Sequence, residues 1–181
     1  MVRNLSDTGL VLKTIFGELT FSVAAKEGDL SNAKIVSSEL EPMIPDGMSV
    51  ERSIAVLLRV RSSIEIKNLN FMCTWNNSIG KGGACTGQGL DAWEWESDNH
   101  LILIGTEDEE WLGSRLGPKY LSESPVIMGS NGFEIHIEEY PKGVELTLHY
   151  MVSSNSLPEK EECSCWFAVD VSHKRVLEAC Q

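Results

Sequence analysis

On both sides of Pro141-Lys142, apolar residues fall on every second position: Phe133, Ile135 and Ile137 before it, Leu146, Leu148 and Tyr150 after it. A period of two marks a strand with one buried face, because successive side chains point to opposite sides of a sheet. A two-residue turn at Pro141-Lys142 sets Ile137 against Leu146, Ile135 against Leu148 and Phe133 against Tyr150, and so predicts a β-hairpin over 133–152. In that register Glu138 lies across from Glu145 on the outward face, His149 across from Glu134, and His136 across from Thr147. A loop longer by two residues keeps the parity and brings His136 opposite His149.

The same period recurs along the chain. Leu19, Phe21 and Val23 alternate after Gly17-Glu18, which predicts a hairpin within the first 28 residues. Residues 50–61 fit two periods, a helical stripe of Val50, Ile54, Leu57 and Leu58 and a strand face of Ile54, Val56, Leu58 and Val60; the β-branched residues favour the strand, and Leu69, Phe71, Cys73 and Trp75 read as the next. Between them the apolar parity flips, so a bulge or bend is expected near Lys67-Asn68. Residues 90–96 and 100–104 form two strands joined at Ser97-Asp98-Asn99, and Cys165, Phe167, Val169 and Val171 predict a last strand. Helical signals are few. Thr106 and Glu109 read as a capping box opening a helix over 107–116, stopped by Gly117-Pro118, and a short helix is placed near 31–40. The expected fold is mainly β: one domain spanning 1–181, an antiparallel β-sandwich or open barrel of about eight or nine strands with one short helix near 107–116.

Charge restricts the function classes. Among 181 residues, 27 acidic side chains against 15 basic ones leave a formal net charge of −12. That balance opposes nucleic acid and anionic membrane as partners, and favours a basic one. No signal-peptide pattern opens the chain, no run of about 18 apolar residues occurs, and five cysteines read as reduced thiols; a cytoplasmic location is expected.

The motifs for chemistry are incomplete. The glycine-rich stretch 80–89 has neither the Gly-Lys-Ser/Thr of a P-loop nor the spacing of a dinucleotide fingerprint. Cys163, Cys165, His173 and Cys180 offer soft ligands, but a C-x-C pair on a strand is a poor zinc knuckle, so neither metal nor cofactor is expected. The four histidines have no ligand spacing, no serine lies in G-x-S-x-G, and no catalytic residue is assigned.

The charge distribution is the most uneven feature. From Gly82 to Ser114 there are eight acidic residues (Asp91, Glu94, Glu96, Asp98, Glu107, Asp108, Glu109 and Glu110) and no lysine or arginine. Trp93, Trp95 and Trp111 lie in the same stretch. A structural explanation competes: the tryptophans fill the core, and Glu107 to Glu109 serve a helix N-terminus. The functional one makes these eleven residues, with Glu138 and Glu145, a surface for a cationic partner, in which carboxylates steer and aromatic side chains anchor. The expected function is therefore an acidic binding module that docks on a basic protein, in its most concrete form an immunity or inhibitor protein neutralising a toxin such as a nuclease. The alternative is a small-molecule-binding β-barrel, including an enzyme, with the 80–89 loop shaping its mouth.

Overall fold

The computed structural model describes residues 4–77, 82–156 and 164–181. Among the described residues, eleven strands form two antiparallel sheets. Sheet A contains β1 (Asn4–Thr14), β2 (Gly17–Glu27), β5 (Ile66–Trp75), β10 (Gly132–Tyr140) and β9 (Leu121–Gly129), in that order. Sheet B contains β3 (Lys34–Glu39), β4 (Arg52–Arg61), β11 (Glu145–Ser156), β8 (His100–Glu107), β7 (Leu90–Glu96) and β6 (Gly82–Ala84). Helix α1 (Glu109–Leu116) and a 3-10 turn (Pro118–Tyr120) link β8 to β9, and helices α2 (Ser164–Val169) and α3 (His173–Ala179) follow β11. The sheets stack as a sandwich, with two or three more strands than the eight or nine expected and with helices α2 and α3 that the sequence did not signal.

The core between the sheets is aromatic. Phe21, Phe71, Phe133 and Tyr150 converge, with the Tyr150 ring 4.8 Å from Phe71 and 5.9 Å from each of the other two. The Tyr150 hydroxyl donates to the Phe71 carbonyl across the layers at 2.7 Å, which satisfies the polar end of a buried ring. Trp95 is fully buried, and its Nε1–H donates to the Ser130 carbonyl, tying β7 to the β9–β10 turn.

Several local expectations are corrected. Residues 133–152 do not form a hairpin: β10 pairs with β5 and β9, and β11 with β4 and β8. The inward faces are as expected, but Phe133 and Tyr150 meet across the sandwich rather than along a ladder. Glu145 is therefore not opposite Glu138; it faces β4, with its carboxylate 3.9 Å from Arg59. His149 is opposite Leu57 and His136 opposite Asn70. Residues 165–171 are not a strand, since Cys165, Ala168 and Val169, buried at helical spacing, lie on α2. The segment 31–40 holds strand β3 instead of a helix, and the first hairpin turns at Ile15-Phe16, two residues before Gly17-Glu18.

The parity change before Leu69 is a bend without register slip. Asn68, at φ 49°, is the one non-glycine residue with positive φ among the described residues. Ile66 and Leu69 are both buried, and so are Ala25 on β2 and Gly28 just after it, and Ile137 and Tyr140 on β10. Three neighbouring strands thus switch their inward parity at one level.

A second core covers the outer face of sheet B. Ala55, Leu57, Leu101, Leu103 and Met151 project from it against Cys165 and Val169 of α2 and Val176 of α3. The strands of sheet B are therefore apolar on both faces, as in Ile54–Leu58 and Leu101–Ile104. Helix α2 packs over β11 and β8, and α3 over β4.

Candidate functional site

The acidic stretch does not form one surface. Asp91, near the start of β7, lies near α1, whereas Glu96 and Asp98 lie at the far end of the β7–β8 hairpin, about 17 Å away by strand rise. Glu94 is half-buried on the outer face between these poles. Trp95 and Glu107 are buried and present no side chain to solvent. Trp93 is half-buried against the core, Glu138 is exposed on sheet A, and Glu145 is paired with Arg59.

What remains together is the pole around α1. Its N-cap is Asp108, not Thr106: one Asp108 oxygen accepts the Trp111 N–H and the other the Gly89 N–H, each at 2.9 Å. Two orphan amides are thereby satisfied, and Glu109 and Glu110 add charge where the helix dipole favours it. Asp91 has its carboxyl raised, first by partial burial and then by the charges of Asp108 and Glu109. Trp111 is 53% exposed at this pole. A shallow cavity of about 340 Å³ lies along α1, lined by Glu109, Glu110, Gly113, Pro118 and Leu121, while the Trp111 indole lies over Gly89. Among the described residues no lysine or arginine pairs with Asp91, Asp108, Glu109 or Glu110.

The glycine-rich stretch is explained by packing. Gly80 and Lys81 lie outside the described residues. A Cβ on Gly82 would run into Trp93; one on Gly87 would come within 2.5 Å of Trp166, and one on Gly89 within 2.5 Å of Trp111. Each of these glycines lets an indole lie directly on backbone. The amides of Cys85, Gly87, Gly89 and Leu90 are bonded to Ala92, Leu90, Asp108 and Gly87. A cleft of about 360 Å³ lies among Lys13, Glu51, Arg52, Ile54, Ile102 and Val152, with no residue of the described part of this stretch in its lining.

The second concentration of chemistry is buried. Strand β8 ends at Glu107, and continuing its ladder with β11 two residues past Gly105–Met151 brings Glu107 across from His149. His173 opens α3, which lies over the same face. The Nδ1 atoms of His149 and His173 are 2.8 Å apart, and Glu107 Oε2 is 3.7 Å from the first and 3.9 Å from the second. His173 Nε2 is 2.8 Å from Thr147 Oγ1. Arg115, from the last turn of α1, donates its Nε–H to both Glu107 oxygens at 3.0 and 3.1 Å, and a terminal N–H to Oε2 at 2.5 Å. Its other terminal nitrogen donates to the Thr147 carbonyl.

Burial dominates the electrostatics of this cluster. Desolvation first, and the Arg115 charge second, lower His149 to about 3, against a hydrogen bond to the Val171 backbone that favours the charged ring. His173 is lowered to about 3 by burial, then by His149 and Arg115, with Glu107 opposing. Both imidazoles are neutral at pH 7. Glu107, His149 and His173 each offer one atom within 4.8 Å of the others, and they make the donor set for a metal among the described residues. Of the cysteine set considered from sequence, Cys163 lies outside the described residues; among the described residues Cys165, His173 and Cys180 do not converge as a donor set, and Cys165 is buried on α2 with its thiol raised to about 11 by burial.

Of this cluster, sequence reading singled out Glu107 as a surface acid and His173 as a partner of cysteines. His149 and Arg115 were missed as members. The available signal was the second face of β11, where Thr147, His149, Met151, Ser153 and Asn155 are too mixed for a solvated face. No protein-family model matches the chain, and no curated protein or solved structure is significantly similar to it.

Proposed function

We propose that this protein is a binding module that docks on a basic protein through the pole built by α1 and the start of β7. The observation that carries this reading is Trp111, half exposed and surrounded by Asp91, Asp108, Glu109 and Glu110, with no cation paired to those carboxylates among the described residues. An exposed indole supplies an anchor, and unpaired carboxylates supply attraction to lysine and arginine. The most concrete form is an inhibitor: a nuclease toxin needs a basic surface to hold phosphate, and an acidic immunity protein occludes it. Glu96 and Asp98, at the far pole, lie outside this docking surface.

The test is capture from lysate of the source cell at low and then high salt, with bound proteins identified by mass spectrometry. Three baits are compared: the wild-type chain, a Glu109→Lys/Glu110→Lys variant, and a Glu96→Lys/Asp98→Lys variant. A basic protein retained by the wild type and the far-pole variant, lost by the α1 variant and eluted by salt, supports the reading. Equal capture by both variants sinks it. Capture of nothing basic, together with a tryptophan fluorescence response to a metabolite, shifts the function to the Lys13–Arg52 cleft, whose volume is in the range of ligand pockets (roughly 300–1,000 Å³).

A further inference from the structure

We propose that Glu107, His149 and His173 form a binding site for a divalent transition cation of the zinc class, which fastens the C-terminal helices to sheet B. Two imidazoles and a carboxylate are a donor set that zinc and its first-row neighbours take readily, whereas calcium and magnesium prefer oxygen alone. The distances fit. Donors bound to one zinc at ~2.0–2.1 Å stand no more than about 4.2 Å apart. The three separations here are 2.8, 3.7 and 3.9 Å.

The surroundings match those of ligands held in place for a metal. Histidine ligands usually have the second ring nitrogen engaged by a hydroxyl or backbone group, which leaves the first to face the cation. His173 has Thr147 Oγ1 on its Nε2, and the His149 ring has the Val171 backbone as a second partner. Both Nδ1 atoms are thus turned toward each other and toward Glu107. Two ring nitrogens 2.8 Å apart repel unless a proton or a cation lies between them. Glu107 in turn is held at both oxygens by Arg115.

Arg115 has a second consequence. Guanidinium and cation share one carboxylate, so affinity is set by the difference between their claims on it. Removing the Arg115 charge should therefore tighten cation binding, although it removes a structural contact. A merely structural cluster predicts no such gain. The three donors come from the end of β8, the middle of β11 and the first turn of α3, so a bound cation links segments 24 to 66 residues apart in sequence. Such an ion binds the folded chain and not the unfolded one, and stabilises by mass action.

The test uses the full chain, stripped with a chelator and shown to be folded by circular dichroism. It is titrated with Co²⁺, read by visible absorption, and then with Zn²⁺ to displace it. Expected are one cation per chain, ligand-field bands from mixed nitrogen and oxygen donors, and a melting temperature that climbs with Zn²⁺ concentration. His173→Gln should weaken binding about 100-fold or more, Thr147→Val about tenfold, and Arg115→Met should tighten it by roughly tenfold or more. If His173→Gln fails to fold, the Thr147→Val and Arg115→Met pair decides, because their effects run in opposite directions. No uptake of Co²⁺ or Zn²⁺ by the folded, stripped wild type overturns the proposal. So does uptake untouched by these variants, or uptake abolished by Cys165→Ser/Cys180→Ser.

Discussion

Replacing Arg115 with methionine should destabilise the fold by about 3 kcal/mol, near the lower end of the range for stranding a buried charge. The Glu107 side chain is 7% exposed, and its cationic partner among the described residues is Arg115, which contributes three hydrogen bonds to the two carboxylate oxygens. Methionine fills much of the same space but leaves that charge buried without a partner, and it also frees the Thr147 carbonyl. The lower end applies because Arg115 itself is 22% exposed, so water can take part of its place. With a urea slope of about 2 kcal/mol per molar, the unfolding midpoint of the stripped protein should fall by roughly 1.5 M. The complementary change, Glu107→Gln, should cost less, because the arginine left behind can reach solvent. Glu107→Gln/Arg115→Met should then cost clearly less than the sum of the single variants, since no charge remains buried. A loss below about 1 kcal/mol for Arg115→Met, the value of an ordinary surface pair, would refute this account of the cluster, as would additivity in the cycle.

Three further outcomes follow from the geometry. Gly87→Ala should cost about 1–3 kcal/mol in urea unfolding and alter the Trp166 emission, because its Cβ would come within 2.5 Å of that indole; Gly83→Ala, with nothing within 4 Å, should stay within about 0.5 kcal/mol of wild type. Trp111→Ala should weaken a docked basic partner by about 2 kcal/mol, roughly 30-fold in Kd by calorimetry, while changing stability little. Asp29 should titrate near pH 2 by NMR, because its oxygens accept from the Ser31 hydroxyl, the Ser63 hydroxyl and the Ser31 amide. Its folded pKa is below the unfolded one, so its contribution is present above about pH 4 and lost as pH falls toward 2; in Ser31→Ala the titration should move up, and an unmoved midpoint would reject this origin.

Much of the sandwich was legible because burial leaves a period, and little of its pairing was, because a period does not name a partner. Phe133, Ile135, Ile137, Leu146, Leu148 and Tyr150 all face the core, as their alternation requires. That pattern is the same whether two strands lie edge to edge or stack face to face, so the 133–152 hairpin was a valid inference from an insufficient signal. At 165–171, six or seven residues satisfy a period of two and a period of 3.6 equally well, and the apolar outer face of sheet B drew the segment into a helix. The acidic run was visible as composition. Its division into two poles was not, because a hairpin sends neighbours in sequence to opposite ends of a strand. The buried cluster has no sequence spacing at all, since Glu107, His149 and His173 meet through ladder register and helix placement.

The middle of each sheet is supplied late in the chain. Strand β11 separates β4 from β8, and β10 separates β5 from β9. On the ribosome, more than 80 residues must follow β4 before its partner β11 is made, about 4–17 s of synthesis at ordinary rates. Through that interval β4 presents an apolar strand with one unpaired row of amides and carbonyls, the kind of edge that recruits other chains. Yield in a cell should therefore respond to translation speed and chaperone supply more than to the stability of the finished fold. Slowing elongation between β8 and β11 should lengthen this exposure and lower the soluble fraction.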